Sequence, residues 1–103
     1  MVKYAKLIDI RDNVITSLAD LKAGEEVIVK FDGKETKYVT NDDVPFGHKI
    51  AIKDIKKGER IIKYGFEIGS ASADIREGDW VHTHNVDDDY ICLDKDGNPL
   101  PGQ

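Results

Sequence analysis

Two of the chain's three histidines stand one residue apart, in Trp80-Val81-His82-Thr83-His84-Asn85. Alternation from Trp80 to Val86 predicts a strand, on which residues i and i+2 share a face and two imidazoles start roughly 6–7 Å apart. Neutral imidazole nitrogens at that spacing can chelate one divalent cation. A pair does not complete a metal site, so two surface histidines on a half-exposed strand is the competing reading of His82 and His84.

His48 follows Val44-Pro45-Phe46-Gly47. Proline fixes φ and glycine frees it, which together aim the next side chain at the mouth of a strand. His48 is then a candidate acid–base group, and Lys49 a candidate cation for a carboxylate. The competing reading is an ordinary turn with Phe46 plugging the core. Asn13 and Thr16 offer amide and hydroxyl groups to a hydroxyl-rich ligand, and a helix cap explains them equally well. Cys92 is a lone cysteine. It supports neither an intrachain disulfide nor an iron–sulfur or thiolate-zinc site, and reads as a small apolar residue.

Short, frequent strands must position these groups. Residues 26–31 are β-branched and compact, Asp32-Gly33 supplies a tight turn, and residues 36–39 resume the alternation as a hairpin. Residues 48–52, 60–64 and 66–68 read as further strands. Residues 13–21 are the one place for a helical turn or two, with Asn13 or Thr16 as N-cap. The domain reads as all-β or β-rich. One corner recurs at residues 20–27, 54–61 and 74–81, with the pattern Asp, aliphatic, two polar, Gly, acid, any, aliphatic. Asp is expected to cap a single helical turn, the aliphatic residue to anchor it, and Gly to take the left-handed exit. This is scaffold.

A chain of 103 residues makes one small domain, so a substrate site belongs in a surface groove or at an interface. Twenty acidic against 15 basic residues, with no basic cluster, argues against nucleic-acid binding. No apolar run approaches the roughly 18 residues of a membrane span, and the first residues lack the apolar core of a signal peptide, so a cytoplasmic protein is expected. Residues 1–86 form the expected domain, and residues 87–103 an acidic C-terminal arm. Unpaired strand edges leave a homo-oligomer open.

In chain order, Asp12-Asn13-Val14-Ile15-Thr16, Val44-Pro45-Phe46-Gly47-His48-Lys49-Ile50-Ala51-Ile52, Ile62-Lys63-Tyr64-Gly65-Phe66-Glu67-Ile68-Gly69-Ser70-Ala71 and Gly78-Asp79-Trp80-Val81-His82-Thr83-His84-Asn85 resemble the SAF domain of altronate and galactarate dehydratases. The resemblance covers about residues 9 to 86. It implies a mainly β, SAF-type β-clip fold with short helical turns. It also implies a hydro-lyase that dehydrates a sugar acid to a 2-keto-3-deoxy acid with a divalent metal, ferrous iron or else manganese(II). A chain of this length then calls for a separate large dehydratase subunit as partner. Carried over residue by residue, the resemblance makes His82 and His84 metal ligands and His48 the acid–base residue. Asn13 and Lys49 become substrate contacts. The alternatives are a non-catalytic carbohydrate-binding or assembly module, and the small subunit of a sulfolactate sulfo-lyase.

Overall fold

The computed structural model describes residues 2–87. The arm from residue 88 onward, with Cys92, lies outside the described residues. Among the described residues nine strands follow one another: β1 (Tyr4–Lys6), β2 (Val14–Ser17), β3 (Glu26–Phe31), β4 (Lys34–Val39), β5 (Lys49–Ala51), β6 (Arg60–Lys63), β7 (Phe66–Ala71), β8 (Trp80–Val81) and β9 (Val86–Asp87). They form a six-stranded sheet in the order β4-β3-β1-β2-β5-β8 and a three-stranded sheet in the order β6-β7-β9. All pairings are antiparallel except β1 with β3.

The strand period of two assigns the large sheet's faces. Ile15 and Ile50 enter one core with Val27, Val29, Leu21 and Val44, and Trp80 packs against it. Val14, Ala51 and Val81 enter a second core with Ile55, Ile61, Ala71 and Ile75. The central strands β2 and β5 are therefore apolar on both faces, whereas β4 at the edge is almost wholly exposed. The expected hairpin is present, with Asp32 and Gly33 both at positive φ (51° and 77°), the requirement of a two-residue turn that matches strand twist.

The structure corrects the helical expectation. Among the described residues there is no helix, and the middle of residues 13–21 is strand β2. Here β-branched Val14, Ile15 and Thr16 pair with β5, and Thr16 and Ser17 pair with β1 as well, so tertiary pairing overrides the capping signal. The corners are turns of a different design. Asp20 does not cap its own turn. Its Oδ1 accepts from the amide of Phe46 at 2.8 Å, and Asp43 returns the bond to Ala23 at 2.9 Å. Asp54 and Asp74 exchange the same bonds with Glu77 and Lys57, both at 2.9 Å. Each couple is joined by an aliphatic bridge, Leu21 with Val44 and Ile55 with Ile75.

The exchange reveals a fourth corner, Asp43-Val44-Pro45-Phe46-Gly47-His48, which the consensus misses. In the other three, the acid after the glycine accepts from the amide three residues back: Glu25 from Lys22 (2.6 Å), Glu59 from Lys56 (2.6 Å) and Asp79 from Arg76 (2.9 Å). In the fourth corner the residue three back is Pro45, which has no amide hydrogen to satisfy. The acid's structural task disappears, and His48 occupies its place.

Candidate functional site

His48 leaves the Pro45 corner and enters β5, whose residue Ile50 pairs with Trp80 on β8. The indole of Trp80 becomes the centre on which the three histidines meet. The His82 ring stacks on it at 5.2 Å between centroids and an interplanar angle of 6°. His84 lies at 5.1 Å and His48 at 5.8 Å, both tilted by 45°. The imidazoles in mutual contact are those of His48 and His82, 4.8 Å apart.

This convergence does not come from strand alternation, and the expectation of a strand through Val86 is corrected. Strand β8 stops at Val81, and residues 83–85 are turn. Asn85 makes that turn. Its amide nitrogen donates to the carbonyl of Trp80 at 2.8 Å, its Oδ1 accepts from the amide of His82 at 2.9 Å, and its own amide reaches the carbonyl of His82 at 3.0 Å. A buried side-chain amide with these partners folds the segment back, so His84 reaches Trp80 from the turn rather than along a strand.

Trp80 Nε1 donates to His48 Nδ1 at 3.3 Å. An indole nitrogen is a donor only, so this bond assigns the lone pair of neutral His48 to Nδ1 and its proton to Nε2. His48 is thereby set up to donate a hydrogen bond outward from Nε2. His82 sits below the ordinary histidine pKa, first because burial disfavours its charge, then through His48, Lys49 and His84. That direction favours the neutral form, which has a lone pair to give.

Lys49 starts β5 and is half-buried. Burial, and after it the charge of Lys63, pushes its ammonium below the ordinary lysine value. Being one residue from His48, it takes the other face of the sheet. Asn13 is not brought to this cluster. Its side chain, 6% exposed, accepts from the amide of Ile62 and donates to the carbonyl of Arg60, both at 2.8 Å. Four residues along β2 separate it from Ser17, whose amide bonds the carbonyl of His48, a distance of roughly 13 Å at strand rise. Buried Asp12 beside it takes the amides of Tyr64 (3.1 Å) and Gly65 (2.8 Å). Asp12-Asn13 is thus a clamp on β6 and the turn after it. That turn requires glycine at residue 65, since φ is +73° and a Cβ would strike the Arg11 guanidinium.

Phe46 does not plug the core; it is 64% exposed on the rim of the His48 corner. A groove of about 510 Å³ runs beside Trp80 between Asp20, Lys22, Asp43 and Pro45. The histidines lie outside it, His48 and His82 half-buried and His84 exposed. No three His, Cys, Asp or Glu among the described residues gather as a metal site. The donor chemistry still fits a divalent cation in part. Neutral His82 and exposed His84 offer two nitrogens, while the lone pair of His48 is occupied by Trp80.

A family model described as the altronate/galactarate dehydratase SAF domain matches residues 3–89. The chain belongs to this family. Among relatives, the altronate dehydratase of Escherichia coli (strain K12) is 45% identical over 98 residues, 89% of this chain and 19% of that protein. That of Bacillus subtilis (strain 168) is 44% identical over 76 residues, 74% of this chain and 14% of that protein. The (2R)-sulfolactate sulfo-lyase subunit alpha of Paracoccus pantotrophus is 40% identical over 58 residues, 56% of this chain and 87% of that subunit. The SAF chain thus spans a minor part of the two dehydratases and most of the sulfo-lyase subunit. The SAF assignment agrees with the mainly β architecture built from the residues. Trp80, the hub of the cluster, was legible only as a member of the last family motif. Nothing in its spacing marked it as the partner of His48. Among the described residues no helix is long and apolar enough to cross a membrane.

Proposed function

We propose that this SAF chain supplies one half of the active site of a hydro-lyase that dehydrates a sugar acid such as altronate or galactarate to a 2-keto-3-deoxy acid. The other half comes from a large dehydratase portion. The observation that carries the reading is the meeting of His48, His82 and His84 on Trp80, a half-buried cluster that a second polypeptide can close over from the side of exposed His84. A non-catalytic binding module gives no reason for three imidazoles to converge.

Dehydration of a hydroxy acid takes the proton α to the carboxylate and protonates the departing hydroxyl. His48, with its proton on Nε2, donates a hydrogen bond to that hydroxyl, and the acid that protonates it as it leaves comes from the large portion. Lys49 faces the carboxylate. The base that takes the α proton belongs to the large portion. His82 and His84 would hold a divalent metal, ferrous iron or manganese(II), whose remaining ligands come from that portion. When bound, such an ion polarises the hydroxyl and stabilises enediolate charge.

The test combines the chain with a large dehydratase polypeptide and ferrous iron, and measures 2-keto-3-deoxy acid from a panel of sugar acids. Activity should need both polypeptides. Full activity of the large chain alone, or none in the pair, would remove the reading. A second reading is favoured by size, because the chain spans most of a sulfo-lyase alpha subunit: the leaving group is then sulfite rather than water. Including sulfolactate in the panel, with sulfite as readout, separates the two.

A further inference from the structure

Leu21 and Val44, whose backbones bridge the first couple of corners, also line the groove of about 510 Å³ beside Trp80. That volume lies within the roughly 300–1,000 Å³ of small-molecule sites. Trp80 belongs both to the groove and to the histidine cluster. Asp42 Oδ2 accepts from the amide of Trp80 at 2.9 Å, which holds β8 against the segment leading into the first couple. The second couple repeats the aspartate exchange and the aliphatic bridge through Asp54, Asp74, Ile55 and Ile75, so those features alone are scaffold. What distinguishes the groove is its indole and its balance of charge.

Two carboxylates stand on the groove. Each is held through one oxygen, Asp20 by the amide of Phe46 and Asp43 by that of Ala23. The second oxygen of Asp20 accepts from no group among the described residues, and that of Asp43 has only exposed Lys22, at 3.9 Å. Lys3, the other cation of the groove, is committed to Glu25 at 3.0 Å and to the carbonyl of Asp20 at 2.8 Å. With Glu25 counted, three carboxylates face two ammoniums, and the groove carries one net negative charge. Such a groove repels a carboxylate and offers fixed acceptors to hydroxyl groups. Its aliphatic lining and its indole suit the C–H faces between those hydroxyls.

We propose that this groove binds the uncharged polyhydroxyl tail of a sugar acid whose reacting end lies at the histidines. The site rests on the proposed dehydratase function for its occupant and for which end of it reacts. An extended six-carbon chain is roughly 6 Å long, at about 1.5 Å per C–C bond. The rings of His48 and Trp80 are 5.8 Å apart. A six-carbon acid at His48 therefore reaches Trp80 and the groove, and a three-carbon acid stops short. Recognition then reads both length and tail charge: an acid with one carboxylate is preferred over one with a carboxylate at each end.

The test follows the Leu21 and Val44 methyl NMR signals of the full chain during titration with altronate, galactarate and glycerate. Saturable shifts of both residues are expected with altronate. Galactarate, with its second carboxylate, should bind roughly fivefold more weakly, the size of one like-charge contact near a surface. Glycerate, which has no tail, should shift neither residue. Asp43→Asn keeps an oxygen for the amide of Ala23 and should weaken altronate about fivefold, because a neutral amide is a poorer acceptor than a carboxylate. The preference over galactarate should narrow in the same variant, an effect that a merely structural role would not produce. Asp74→Asn makes the same edit in the second couple and should leave altronate binding at the parental value. Should Asp43→Asn not fold, Asp20→Asn applies the same test from the other side of the groove. Absent shifts at Leu21 and Val44, equal affinity for altronate and galactarate, or equal losses in Asp43→Asn and Asp74→Asn would overturn the site. Altronate bound this way by a chain that supports no dehydration leaves the groove and removes the dehydratase reading. Dehydration of altronate with the parental KM in both Asp20→Asn and Asp43→Asn removes the groove and leaves that reading.

Discussion

Trp80 decides what His48 can do, because a donor-only indole nitrogen at 3.3 Å leaves the imidazole one tautomer. Trp80→Phe keeps an aromatic ring for His82 to stack on and deletes the indole donor. Turnover of the assembled enzyme should fall roughly tenfold to a hundredfold, as for other residues that orient a reacting group. The ¹⁵N shifts of His48 should show both tautomers, whereas a merely structural role for Trp80 would leave them unchanged. Lys49 gives a second residue-scale outcome. Its folded pKa lies below the ordinary 10.5, so between the two values the unfolded chain binds more protons than the folded one. Stability therefore rises with pH through that window, as the desolvated charge is lost. Carboxylate binding has the opposite sign: it falls as pH rises through the lowered pKa, and bound galactarate should drive the Lys49 titration back upward. Parallel titrations of the Cε–Nζ signal with and without galactarate check both signs. Of the residues singled out by type, His48, His82 and His84 meet on Trp80, and their types stand out in the sequence because few side chains do their chemistry. Asn13 lies apart from them, because an amide that holds β6 looks, in a sequence, the same as one that holds a ligand.

The corners explain at the level of elements why the site is where it is. Three of them spend their acid on the amide of Lys22, Lys56 or Arg76, and the fourth, having Pro45, has that position to give to His48. Hairpin and strand positions were legible because β-branched runs and Asp-Gly turns act locally. The reciprocal bonds of Asp20 with Phe46 and Asp54 with Glu77 span 26 and 23 residues, and no local pattern encodes them. The turn at residues 82–85 was misread for the same reason: Asn85 overrides an alternation that would otherwise continue as strand. Asn85→Ala should destabilise the domain by about 2 kcal/mol, since it strands the carbonyl of Trp80 and the amide of His82. Chemical denaturation measures the cost. The ring-current shifts of His82 and His84 against Trp80 should collapse in the same variant, even where the fold survives.

For the molecule as a whole, the histidines and Lys49 of the site are half-buried, apart from exposed His84, and are bordered by exposed aromatic groups. Phe46 is 64% exposed beside His48, and Tyr64 and Phe66, at 46% and 62%, flank the turn after Lys63. By contrast, the free edge β4 carries Lys34, Glu35 and Lys37, charges that discourage strand-to-strand association there. The surface suited to a partner is therefore the aromatic rim around the chemistry. Such a rim excludes water from the site when a large dehydratase portion covers it, and aromatic anchors near the centre of an interface dominate its affinity. Phe46→Ser should weaken association with that portion at least tenfold, a loss of about 1.4 kcal/mol or more. It should leave the melting temperature of the isolated chain nearly unchanged, because Phe46 contributes little to either core. Lys34→Ser, at the exposed start of β4, serves as the distal control for association. Calorimetric titration of the chain into the large polypeptide reads the difference, and equal affinity for the parent and Phe46→Ser would place the interface elsewhere.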